Sequence, residues 1–130
     1  MQRDTVLRWI ETLSALIARI LRGDRTASLE IARQQIDEAK GMMLSSLQTL
    51  ADHLEPAQLA ALLVDPHRTY GYARLLAFEA ALAGTGPEAK RLTHRAVALA
   101  QAACGQIDPV PSEWDEWIQL AESGLKAPNG

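Results

Sequence analysis

The sequence predicts an all-α protein, with five or six helices arranged as antiparallel pairs in one domain. Three observations predict it. Alanine and leucine dominate the 130 residues, a mix that favours helix at nearly every position. Valine and isoleucine are scarce and nowhere alternate with polar residues over a strand's length, so there is no β signal. Glycine and proline punctuate the chain at helix-length intervals.

The first helix is expected to start after Asp4 and to end at Gly23, which suits a left-handed C-terminal cap. Val6, Trp9, Leu13, Leu16 and Ile20 recur at three- and four-residue steps, with Ile10 and Ile17 widening the stripe and Trp9 in the core. Arg8, Glu11, Arg19 and Arg22 fall off it. Asp24 or Thr26 caps a second helix carrying Leu29, Ala32, Ile36, Ala39 and Met43 on one face, folded back on the first by the short connection. Gly41 weakens its last turn. Residues 44–54 read as a short helix or two turns with Leu47, Leu50 and Leu54 inward.

Pro56 fits the first turn of a third, short helix through Leu59, Leu62 and Leu63, which Asp65-Pro66 ends. The next helix runs from His67 or Thr69 to Ala83, with Tyr72, Leu75, Leu76, Ala80 and Leu82 as its apolar residues. Gly84-Thr85-Gly86-Pro87 is a tight link. The helix after it presents Ala89, Leu92, Ala96, Leu99, Ala100 and Ala103, while Lys90, Arg91, His94 and Arg95 look outward. Gly105 closes it, and Asp108-Pro109-Val110-Pro111 forms a stiff spacer. Ser112 with Asp115 reads as a capping box for a final helix with Trp114, Trp117, Ile118 and Ala121 on one face. The domain therefore spans 1–124, and 125–130 reads as a flexible tail.

Residues 73–99 resemble one degenerate tetratricopeptide (TPR) repeat, a helix-turn-helix unit. Leu76-Ala77, Gly84, Glu88-Ala89 and Ala96 follow its pattern, whereas Ala73, Ala80 and Thr93 stand where the repeat prefers aromatics. The opening Gln2-Arg3-Asp4, Leu7-Arg8 and the Arg22-Gly23-Asp24 turn are similar to a group of small uncharacterised bacterial proteins of helix-pair architecture. The resemblance implies a right-handed TPR-like array and a role in protein interaction. It implies no activity.

Composition excludes several classes. With 48% hydrophobic and 22% charged residues the chain is an ordinary globular protein, and a net charge of -3 lacks the basic surplus of a nucleic-acid binder. The single cysteine, Cys104, makes no internal disulfide or Cys-based zinc site and points to a reducing interior. The longest apolar run, Leu75 to Gly84, is broken by Glu79 and is about half the roughly 20 residues of a membrane span. No membrane association and a cytoplasmic location are expected.

No chemistry-bearing constellation stands out. His53, His67 and His94 fall on three elements without the spacing of helical metal ligands. Gly84-Thr85-Gly86 lacks the Gly-Lys-Ser/Thr ending of a phosphate loop. Neither a metal nor a cofactor is expected. Lys90, Arg91, His94 and Arg95 form a basic cluster, and residues 106–124 hold five acidic residues with no lysine or arginine. Those are either two solvated faces or a basic and an acidic helix packed together, within the chain or across a dimer. Trp114 and Trp117 either cap the end of the bundle or meet another subunit. In a helix-pair repeat Arg74 and Phe78 face the concave groove, where an arginine beside an aromatic holds a peptide carboxylate and an apolar side chain.

The partner-binding candidates are therefore Arg74, Phe78, Trp114 and Trp117, on a non-enzymatic protein-interaction module acting as a small adaptor or assembly factor. Its partner is a protein, a second copy of itself included. The alternative is a sensor holding a small apolar ligand between helices. An enzyme using Asp65, His67 and Glu79 ranks last.

Overall fold

The alanine- and leucine-rich segments fold as helix throughout. The computed structural model describes residues 3–126, and among them lie six α-helices and no strand. They are α1 (Arg3–Leu21), α2 (Leu29–Leu44), α3 (Pro56–Leu63), α4 (Pro66–Ala83), α5 (Pro87–Cys104) and α6 (Ser112–Lys126), with 3₁₀ turns at Ser45–Leu47 and Ala51–His53 between α2 and α3. Helix α6 runs past Gly124 to Lys126, so the first two residues of the expected tail are helical; the other four lie outside the described residues.

Local chemistry sets the boundaries. Gly23, at φ 82°, ends α1 in a Schellman motif: its N–H donates to the Ile20 carbonyl at 3.0 Å and that of Asp24 to Arg19 at 3.0 Å. Asp4 is not the cap but a first-turn residue, where its carboxylate meets the positive end of the helix dipole. Asp24 and Thr26 do not cap α2 either. Thr26 donates backbone and hydroxyl protons to Asp24 Oδ1, Arg19 ties both, and Ser28 is the cap, accepting from Ile31 N at 3.2 Å. Glu55 and Gln58 form a capping box at α3. Asp65 caps α4, accepting from His67 N at 2.9 Å, with Pro66 in the first turn. Gly84, at φ 96°, closes α4, and Gly86-Pro87 opens α5. The Asp108–Pro109 peptide in the spacer is cis.

Helix α4 is the centre. Its buried residues run round most of its circumference, from Tyr70 and Tyr72 to Leu75, Leu76 and Phe78, because α1, α2, α3 and α5 all pack on it. Gly71 lets α1 and α2 come close: a Cβ there would sit 2.7 Å from Val6 Cγ1 and 2.9 Å from both Met43 Sδ and Cε. On α1 the buried stripe is Val6, Ile10, Leu13 and Ile17, so Trp9, Leu16 and Ile20 fall to its flank. Trp9 is half-buried and lines a groove against Met42 of α2. Leu29, Leu50 and Leu62 are exposed rather than inward. All six residues expected to face inward on α5 are buried.

Candidate functional site

The four residues singled out on sequence grounds meet in one place. His67, Tyr70, Arg74 and Phe78 follow one another at three- and four-residue steps on α4, and so share a face. Trp114 and Trp117 do the same on α6. Where the two faces meet, the Tyr70 and Trp114 rings stack at 4.4 Å between centroids and 6° between planes. Trp117 meets Tyr70 edge-on at 6.1 Å, and His67 meets Trp114 edge-on at 5.3 Å.

The Arg74 guanidinium lies in this aromatic wall. Its carbon is 5.2 Å from the Trp117 ring centroid, 5.6 Å from Phe78 and 6.0 Å from Tyr70. Such contacts stabilise a cation by ~0.5 kcal/mol when exposed and ~2 kcal/mol when desolvated. Nη1 donates to the Tyr70 hydroxyl at 3.2 Å, while Nε is buried without a hydrogen-bond partner. No carboxylate pairs with Arg74 among the described residues. Burial pushes the Tyr70 phenol up, against the pull of Arg74, so its hydroxyl stays protonated at neutral pH.

Trp114 is 2% exposed. It therefore offers a partner no surface, and its place is beneath Tyr70, holding that ring against Arg74. Phe78 is also buried, with its ring turned to Arg74. Trp117 is half-buried and forms part of the wall of a trough of about 370 Å³ between α4, α5 and α6, faced by Ala77, Ala81, Ala121 and Leu125. Sequence reasoning does not single out Tyr70, and it weighs His67 only as a metal or catalytic candidate rather than as a neighbour of Trp114. The signal for Tyr70 is its four-residue spacing to Arg74, but the periodicity points to Tyr72 as the inward tyrosine, and both are buried.

Other expected groupings come apart. Within the chain the basic cluster on α5 makes no ion pair with the acidic helix among the described residues, and Lys90, Arg91 and His94 are exposed as a solvated face. Arg91 pairs with Glu88 of its own helix at 2.7 Å, and Arg95 turns inward to donate to the carbonyls of Ala51 and Leu54. Helix α6 reaches α5 through Gln101 and Glu122 at 2.6 Å. Asp65 and His67 lie together, with Oδ1 to Nδ1 at 3.5 Å, but Glu79 is three turns along α4 and bonded to Lys40. Burial raises the Cys104 thiol, the direction opposite to that of a reactive nucleophile. Among the described residues no group of three His, Cys, Asp or Glu could hold a metal ion, and no helix is long and apolar enough to cross a membrane.

The chain matches no protein-family model, no curated protein and no solved structure.

Proposed function

We propose that the protein is a non-enzymatic interaction module, a small adaptor or assembly factor built as a TPR-like array of antiparallel helix pairs. Its contact site is the face made by Arg74 and Trp117, with the buried rings of Phe78 and Trp114 holding the aromatic wall behind it. One observation carries the reading: a half-buried guanidinium held among three aromatic rings with no carboxylate of its own. Such a group is pre-organised for a carboxylate brought by a partner, because its rotamer is already fixed and, with Nη1 given to the Tyr70 hydroxyl, Nη2 makes no hydrogen bond to the described residues. The adjoining alanine-lined trough receives the apolar side chains beside that carboxylate. Support for the pairing of helices comes from the three-residue link Gly84–Gly86 and the extensive packing of α5 on α4.

The test is co-purification from host lysate with the wild type, Arg74→Met and Trp117→Leu, circular dichroism confirming that each is folded. A partner, or a second copy of the chain, that is held by the wild type and lost with Arg74→Met is the expected result. Retention by both variants refutes the site. The alternative of a small apolar ligand would place it in the same trough, and native mass spectra showing a bound small molecule in place of a protein would favour it.

A further inference from the structure

Helices α1 and α2 each pack more extensively on α4 than on each other. A groove of about 290 Å³ opens between them, lined by Trp9 and Thr12 of α1 and by Gln35, Glu38 and Met42 of α2. Leu16 and Ile20 project within about 20° of Trp9 by helical periodicity, and so continue its lip of the groove. Both are half-buried, as Trp9 is. On the other lip Ile31 stands about three turns before Met42 and shares its face. Ile31 is 50% exposed and Met42 55%. Large apolar side chains thus line both lips of one groove and meet only water, which is the pattern of a contact face rather than of a solvated helix pair.

The charges beside the groove are self-complementary. Glu38 is the one charged residue among those lining it, and Arg8 stands next to Trp9 on the opposite lip. Both are exposed, and neither has an ion-pair partner among the described residues. The neighbouring charges point elsewhere. Glu11 projects about 200° round α1 from Trp9, Arg19 is bonded to Asp24, and Arg33 and Asp37 line a separate groove on the far side of α2. Trp9 and Met42 line the groove together, so Arg8 and Glu38 lie at the same end of it. A two-fold axis along the groove sets each α1 over the other copy's α2 and keeps every residue at its level. Arg8 of each copy then meets Glu38 of the other. A foreign helix would have to bring a cation for Glu38 and an anion for Arg8, whereas a second copy of this chain supplies both.

We propose that the chain forms a two-fold dimer through its α1–α2 face, a four-helix contact with Trp9, Leu16, Ile31 and Met42 at its centre and two Arg8–Glu38 pairs at its edges. None of these residues belongs to the Arg74–Trp117 site, so the dimer contact is separate from the interaction surface and does not depend on it.

The experiment is sedimentation velocity of the full chain from micromolar to submillimolar concentration, circular dichroism confirming that each variant is folded. The wild type should sediment as a dimer within that range. Met42→Glu alters a side chain already exposed in the single chain, and should weaken dimerisation by about a hundredfold because it buries two unpaired carboxylates per dimer. Arg8→Glu should weaken it by about tenfold, and adding Glu38→Arg should restore most of that loss. A monomer over the whole range overturns the proposal. So does a dimer indifferent to Met42→Glu, or a charge-reversed double variant that associates no more tightly than Arg8→Glu alone. A dimer lost with Arg74→Met also overturns it, since that contact lies on the interaction surface instead.

Discussion

Replacing Gly71 by alanine sets two effects against each other. In a helix interior alanine is favoured over glycine by about 1 kcal/mol, so propensity alone says the variant is more stable. Packing says the reverse. The new methyl would stand 2.7 Å from Val6 Cγ1 and 2.9 Å from two atoms of Met43, approached from two different helices. Met43 is a flexible side chain but fully buried, and Val6 is stiff and 3% exposed, so neither has open space to retreat into. Overpacking a filled core costs about 1–3 kcal/mol, and contacts from both sides place this case in the upper half. The net expectation is a loss of about 1–2 kcal/mol. With a urea m-value of about 1.5 kcal/mol/M for a domain of this size, the unfolding midpoint should fall by about 1 M with m unchanged. Adding Val6→Ala should cost less in the Gly71→Ala background than alone, because the methyl it removes is the one in conflict. Gly124, in α6 with nothing within 4 Å of its Cβ position, is the control, and its alanine variant should gain a few tenths of a kcal/mol. A Gly71→Ala protein more stable than the wild type would refute the close meeting of α1, α2 and α4.

Val64 sits at φ 68° and ψ -48° in a three-residue turn closed by Asp65 N to Leu63 O at 2.7 Å, a conformation strained for a β-branched residue. As it is 75% exposed, Val64→Gly loses little burial and should raise stability by about 1 kcal/mol, read as a higher Tm. Glu79→Gln should cost about 1–2 kcal/mol at neutral pH by leaving the Lys40 ammonium half-buried and unpaired. Because the folded Lys40 pKa is raised, the pair's contribution is complete below the unfolded value of about 10.4 and is lost as pH climbs through the higher folded one. Tyr70 and Tyr72, also raised, lose stability in the same direction, so the pair is isolated by a gap between wild type and Glu79→Gln that narrows above that pH. Asp24, held at about 2 by the Thr26 hydroxyl, the Thr26 amide and Arg19, should titrate there by carbon-detected NMR, and Thr26→Ala should move it toward the ordinary carboxylate range.

Helix class, helix number and most boundaries were legible in the sequence because they are local. Gly23, Pro56, Pro66 and the Gly84–Pro87 link act on their own backbones, whatever packs nearby. Caps were less legible, since Asp24, Thr26 and Ser28 all qualify by type and only the path of the chain selects Ser28. The inward face of α5 was also readable, because α5 is amphipathic and its alternative face is charged. Helix α4 was not: its buried residues lie round most of its circumference, so no single apolar stripe marks which side meets which neighbour.

The candidate site divides in the same way. Arg74, Phe78, Trp114 and Trp117 were visible as unusual residues, but that they form one cluster with Tyr70, and that Trp114 is inside it, depends on how α6 lies on α4. Arg95 looked like a surface charge until the 3₁₀ turns brought two carbonyls within its reach. The groove between α1 and α2 opens because both helices rest on α4 more than on each other, and no spacing along the chain announces it. Periodicity and turn chemistry determined what this chain builds, since both act over a few residues. Tertiary structure alone decided which side chains meet, because contacts between distant segments depend on where every helix comes to rest.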